Sequence, residues 1–224
     1  MTFSLVARCS DTGMFGVAIS SSSPAVAARC PYARAGVGAV SSQNITDPRL
    51  GPEVLDALET HGHANEALAA VMEQHEFKSY RQVLVVDHKG IAAVHSGEHA
   101  LGHWSSATGT NVASGGNLLD NIGVPQAIVD AFIASDGHLG DRLIHAMKAG
   151  LSAGGEAGPI HSAGMLLVDK VSWPVADLRC DWSDACPIEN IAWLWDIYKP
   201  QLGDYVKRAL NPGEAPSYGV PGDD

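Results

Sequence analysis

Thr2 is the residue in which type and position combine most readily into chemistry. Removal of Met1 would make it the N-terminus, so that one residue carries both a nucleophilic hydroxyl and a basic α-amino group. An N-terminal threonine can activate its own hydroxyl in this way, with no histidine. The unperturbed α-amino pKa of roughly 7.7–8.0 lies near working pH, where a general base is most effective.

Other constellations point less clearly. The chain has ten histidines, but His61-x-His63 straddles a glycine. His95, His99 and His103 are interrupted by Gly97 and Gly102, and neither group is the H-E-x-x-H pattern of a zinc helix. The double glycines at 115–116 and 154–155 are followed by no Lys-Ser/Thr, so they do not make a phosphate loop. Neither a metal nor another cofactor is expected.

Composition narrows the partners. The 224 residues are 46% hydrophobic and 17% charged, with a net charge of −11, as in one well-buried globular domain. No basic run is present, which argues against nucleic acid and anionic membrane surfaces as partners. There is neither a basic-then-apolar leader nor an apolar run long enough to cross a membrane, so a cytoplasmic location is expected. Cys9, Cys30, Cys180 and Cys186 form no C-x-x-C pair and read as free thiols in a reducing compartment.

The elements that must position Thr2 begin with its own strand. In Thr2–Arg8, Phe3, Leu5 and Ala7 face one way, and Thr2, Ser4, Val6 and Arg8 the other. A turn at Ser10-Asp11-Thr12-Gly13 leads to a second strand, Met14–Ser21. Reflecting the chain about that turn brings Ser20–Ser22 beside Thr2, and Ser21 and Ser22 could then hydrogen-bond its amine. A small-residue strand over 36–43 leads into helices over 51–61 and 64–74. Strands follow at 81–87 and 91–95, with a loop over 95–104. A strand over 109–114 runs into a glycine turn at Gly115-Gly116-Asn117. Helices over 125–134 and 139–151, a flexible linker over 152–159, strands over 163–168 and 173–180, and a helical region from Pro187 complete the order. Residues 1–210 read as one domain and 211–224 as a Gly/Pro-rich acidic tail. Helical pairs between hairpins predict an α+β fold, a four-layer α-β-β-α sandwich of two mainly antiparallel sheets.

This order resembles a proteasome β-subunit along roughly residues 1–170. The runs Met1–Arg8, Ala33–Val40, Gly116-Asn117-Leu118-Leu119, Ser162-Ala163 and Asp177-Leu178-Arg179-Cys180-Asp181 resemble more closely a bacterial family of unknown function within the N-terminal-nucleophile (Ntn) hydrolase superfamily. His161 departs from that family's pattern, standing where a glutamine usually precedes the Ser-Ala pair.

The resemblance implies acyl transfer. The backbone at Ser41-Ser42-Gln43 would lie where Ntn hydrolases place an oxyanion donor, with Ser42 central. Gly115, Gly116 and Asn117 would offer a second donor through the Asn117 amide. His161 and Ser162 would fall near the N-terminus. Arg34 could lower the amine pKa or hold a carboxylate, and Arg179 and Asp181 could pair at the rim. The expected function is hydrolysis of a small amide or related acyl compound by Thr2, in a homo-oligomer. The alternative is a catalytically silent Ntn-fold protein that binds a ligand or partner. A metal-dependent hydrolase is a third, weaker reading.

Overall fold

The computed structural model describes residues 1–221; the last three residues of the expected tail, 222–224, lie outside the described residues. Among the described residues, ten strands fall into two sheets. β1 (Thr2–Arg8), β2 (Phe15–Ser21), β7 (Ser105–Gly109), β8 (Val112–Asn117), β9 (Ser162–Val168) and β10 (Ala176–Cys180) form one sheet in the order β10-β9-β2-β1-β8-β7. β3 (Pro31–Arg34), β4 (Gly38–Gln43), β5 (Gln82–Asp87) and β6 (Ala92–Ser96) form the other, in sequence order. Every strand pairing is antiparallel. The helices are α1 (Leu50–His61), α2 (Ala64–Gln74), α3 (Val124–Ala134), α4 (Leu139–Ser152), α5 (Pro187–Tyr198) and α6 (Leu202–Leu210).

Side-chain alternation produces the layers. Phe3, Leu5 and Ala7 of β1 pack with Val124, Ile128, Leu143 and Met147 of α3 and α4. Val6, on the opposite face, packs with Val17, Leu84 and Val86 between the two sheets. Val83 and Val85 point the other way from β5, onto Leu50, Val54 and Leu68 of α1 and α2. The result is the four-layer α-β-β-α sandwich of two antiparallel sheets that the residue pattern predicts.

The structure corrects the element list at two hairpins. β3 precedes β4, and β7 precedes β8, where the sequence suggested one strand each. Both additions are short and poor in large apolar side chains, so they carry little period-two signal. Gly115 and Gly116 lie within β8, not in a turn. A Cβ at Gly116 would come 2.5 Å from Leu119 Cδ2 and 3.0 Å from the Thr2 carbonyl oxygen. The glycine lets β8 close against the first residue of β1. Of the aromatic residues of α5, Trp195 is buried against Gly140 of α4, whereas Trp193 is exposed.

Gly116→Ala is expected to destabilise the protein by about 1–3 kcal/mol, seen as a lower denaturation midpoint at unchanged m-value. Gly203→Ala, in exposed α6 with nothing within 4 Å of the added Cβ, should instead stabilise by roughly 0.5–1 kcal/mol.

Candidate functional site

Thr2 starts an interior strand. Its Cα is in register with Ser21 of β2 on one side and Asn117 of β8 on the other. Residues directly opposite in an antiparallel pair project to the same face. Thr2, Ser21 and Asn117 therefore share the inter-sheet face at one end of the six-stranded sheet. All three are largely buried, Thr2 at 8% and Asn117 at 2% exposure.

The hydrogen bonds around Thr2 converge on one carbonyl. Thr2 Oγ1 donates to the Met1 carbonyl oxygen at 2.5 Å, and Ser21 Oγ donates to the same oxygen at 2.5 Å. The two hydroxyls are 3.3 Å apart. Ser21 Oγ also accepts the Ser23 N–H at 3.0 Å. Across the strand, Asn117 Nδ2 is buried with no hydrogen-bond partner. A buried amide donor left unpaired costs on the order of 1–3 kcal/mol, which marks it as available to a ligand.

Below the strand end a polar network ties the two sheets together. Ser4 Oγ donates to Gln43 Oε1 at 2.6 Å, and Gln43 Nε2 donates to Gln82 Oε1 at 2.7 Å and to the Gly115 carbonyl at 3.1 Å. Gln82 Nε2 donates to Ser96 Oγ at 3.0 Å. Each of these buried amide groups has a partner, so Gln43 acts as a strut between the sheets.

Glu156 was not foreseen in the sequence. The segment read as a flexible linker is pinned alongside residues 118–120. Leu119 and Glu156 form a β-bridge, Asp120 N–H donates to the Gly155 carbonyl, and Ala157 N–H to the Leu118 carbonyl. Leu118, at φ 51°, takes the left-handed conformation that turns the chain out of β8 just after Asn117. Glu156 is only 5% exposed. Its Oε2 accepts the Ser22 N–H at 3.0 Å, while Oε1 is buried without a partner. Burial pushes its carboxyl up to about 7, against the pull of the Met1 ammonium and the Ser22 hydrogen bonds. The available signal was a lone carboxylate in an otherwise small-residue stretch.

Several expected residues are engaged elsewhere. Ser42 shares the helix-facing side of β4; its N–H goes to the Cys30 carbonyl at 3.0 Å and its hydroxyl to the Asp47 carbonyl at 2.9 Å. That N–H is therefore not free to receive an oxyanion, which corrects the expectation from layout. Arg34 pairs with Asp56 at 2.8 Å and Glu59 at 3.0 Å on α1, turned away from Thr2. Arg179 and Asp181 pair with each other at 2.9 Å around the end of the edge strand β10, with β9 and β2 between them and β1. Ser22 meets Glu156 through its backbone N–H. Ser162 is in register with Ser21, and its hydroxyl donates to the Ser23 carbonyl at 2.6 Å, fixing the serine loop. His161 N–H donates to the Ser21 carbonyl, and its Nδ1 lies 2.9 Å from the Ser183 carbonyl. Its ring stacks on Trp182 at 4.2 Å. The histidine is thus engaged by Ser21, Ser183 and Trp182, and no hydrogen bond joins it to Thr2.

No group of three His, Cys, Asp or Glu side chains suited to a metal occurs among the described residues. All four cysteines are free, and no helix among the described residues is long and apolar enough to cross a membrane. An open cleft of about 570 Å³ lies at the ends of α1 and α2, lined by Arg49, Gln74 and His75. There Arg49 and His75 hold the Asp47 carboxyl well below the usual carboxylate range. That cleft contains no free nucleophile.

Among known proteins, the model of the family of unknown function DUF1028 matches residues 2–191. The crystal structure of a DUF1028 protein from Silicibacter pomeroyi is similar at TM-score 0.85 and 29% identity, covering 92% of this chain and 90% of that one. Anbu (ancestral beta-subunit) structures match more loosely. One from Yersinia bercovieri has TM-score 0.41 and 10% identity, covering 92% of this chain and 97% of its own. Another, from Hyphomicrobium sp. strain MC1, has TM-score 0.43 and 11% identity, covering 97% and 100%. Similarity at that level carries no argument about function. No curated protein matches in sequence.

The Glu156 environment predicts a pH signature. Its folded pKa of about 7 is raised above the reference 4.5, so the folded state binds the proton more tightly. The stability linked to that proton is fully present below about 4.5 and is lost as pH rises through about 7. Glu156→Gln should therefore flatten the stability-against-pH curve across that window, measured by chemical denaturation. Parallel curves for the two proteins would contradict it.

Proposed function

The chain belongs to the DUF1028 family, and from that premise we propose that it is an Ntn-type amidohydrolase acting in the cytoplasm on small amides or related acyl compounds through Thr2, once Met1 has been removed. The observation that carries this reading is the unpaired, buried Asn117 Nδ2 in register with Thr2. A nucleophile facing a buried, unsatisfied donor is what acyl transfer needs.

The steps follow from the residues. The free Thr2 amine takes the proton of Oγ1 as that oxygen attacks the substrate carbonyl. The carbonyl electrons move onto oxygen, where Asn117 Nδ2 donates a hydrogen bond to the developing charge. The C–N bond breaks as the electrons return, and the leaving nitrogen takes the proton from the Thr2 amine. Thr2 then carries the acyl group as an ester. Water attacks that ester, again giving its proton to the amine, and the hydroxyl is restored as the acid leaves. The Ser21 hydroxyl, next to Thr2 Oγ1, orients the nucleophile. The exposed Trp193 and Ile197 of α5 supply an apolar face on which copies of the chain could meet.

The first test is the intact mass of protein purified from its native host, which should lack Met1. With processing established, Thr2→Ala should abolish hydrolysis on a panel of small amides while the circular-dichroism spectrum is kept. Asn117→Ala should lower kcat about 10²–10³-fold with a smaller change in KM. Full retention of Met1, or undiminished turnover by Thr2→Ala, would sink the mechanism and favour a silent binding protein.

A further inference from the structure

Met1 is held in front of Thr2 much as a ligand would be. Its carbonyl oxygen accepts hydrogen bonds from Thr2 Oγ1 and Ser21 Oγ, both at 2.5 Å. Its α-ammonium makes no ion pair among the described residues, but its charge acts on Glu156, which is anchored at the Ser22 N–H beside the Ser21 that holds the Met1 carbonyl. Its thioether runs past Gly158, where an added Cβ would come 3.1 Å from Met1 Cε. The carbonyl of this amino acid is hydrogen-bonded and its side chain fits beside a glycine, while its α-ammonium acts on a buried carboxyl that it does not pair with directly. When Met1 leaves, this space opens beside the nucleophile. Glu156 remains at its edge, 5% exposed and with Oε1 unpaired.

A buried carboxylate with one oxygen unpaired is costly, and an arriving cation relieves that cost. We propose that the space filled by Met1 is the acyl subsite, and that Glu156 there selects amides of α-amino acids whose α-amino group is free and whose side chain is unbranched and apolar. This inference rests on the hydrolytic reading above and narrows its substrate class. An N-acylated substrate would leave Glu156 Oε1 unpaired and would be rejected. The absence of a side chain at Gly158 provides the room for a linear side chain of methionine length.

The test uses the full-length chain beginning at Thr2, with the start confirmed by intact mass. Binding of L-methioninamide and of N-acetyl-L-methioninamide is measured by calorimetry on the Thr2→Ala variant, which cannot turn them over. The free amine should bind roughly 100-fold more tightly, and Glu156→Gln added to that variant should remove the difference. The comparison of the two ligands at the unsubstituted Glu156 stands even if the Glu156→Gln protein folds poorly. Equal affinity for the two ligands, or no binding of either at millimolar concentration, would overturn the subsite. Equal affinity is the outcome expected if Glu156 serves only the Thr2 amine. Turnover of the p-nitroanilides of methionine and N-acetylmethionine by the unsubstituted protein separates hydrolysis from the subsite. Discrimination in binding without turnover would remove the hydrolytic reading and leave the subsite. Equal turnover of both would keep hydrolysis and remove the subsite.

Discussion

The backbone pairing of β1 on both sides is the constraint on which the rest of the structure depends. Chain termini are usually the least ordered part of a domain. Here the strand is paired from its second residue, to Ser21 on one side and Asn117 on the other. Ladder hydrogen bonds along both edges fix the position of Thr2 and also which way its side chain points. A one-residue slip would turn Thr2 toward α3 and α4 and drive Phe3 between the sheets. The packing of Phe3, Leu5 and Ala7 against those helices resists such a slip. Hydrophobic burial on one face of β1 thus aims the polar residues on the other.

That polar face divides into two kinds of environment. Deeper in, Ser4, Gln43 and Gln82 satisfy one another and the neighbouring backbone. A fully paired network in a region of low dielectric is rigid and specifies one arrangement of the two sheets. At the strand end the pattern changes. Asn117 Nδ2 and Glu156 Oε1 are both buried and both unpaired. Buried polar atoms without partners are uncommon in folded proteins. Here one lies on the strand partner of Thr2 and the other on the carboxylate that holds the Ser22 N–H, and together they mark a place where the fold tolerates a local cost, as functional sites do.

Much of this was legible in the sequence, and the exceptions have physical causes. The alternation in Thr2–Arg8, the turn at Ser10–Gly13 and the serines opposite Thr2 follow from strand period and turn chemistry. The helix pairs follow from apolar spacing on one face. β3 and β7 escaped because short strands of small and polar residues leave no periodic trace. Ser42 was misplaced because layout gives a residue's position along the strand but not which carbonyl takes its N–H. That carbonyl is Cys30's, and Cys30 lies just before β3, a strand the sequence did not reveal. Arg34 belongs to the same missed hairpin and turns to α1. Glu156 escaped because a Gly/Ala/Ser-rich stretch usually reads as a linker. Its order comes from pairing with residues 118–120, a contact across more than thirty positions that local pattern does not encode.

The electrostatics of the strand end explain why one residue can both block the site and reveal it. Met1 as an amide removes the lone pair that Thr2 would need as a base, and its carbonyl occupies the hydroxyls of Thr2 and Ser21. The same residue places a positive charge near Glu156, in a protein whose net charge is −11. Removing Met1 shifts the terminal ammonium to Thr2 and leaves Glu156 without its former neighbour. Two groups can then compensate that carboxylate: the new terminus or an incoming α-ammonium. The terminus must lose its proton to act as a base, and in that form it no longer neutralises Glu156. A substrate cation would compensate the carboxylate in the protonation state of Thr2 that chemistry requires. Binding of an α-amino substrate and activation of the nucleophile would therefore favour each other, which gives a physical reason for a carboxylate at this position.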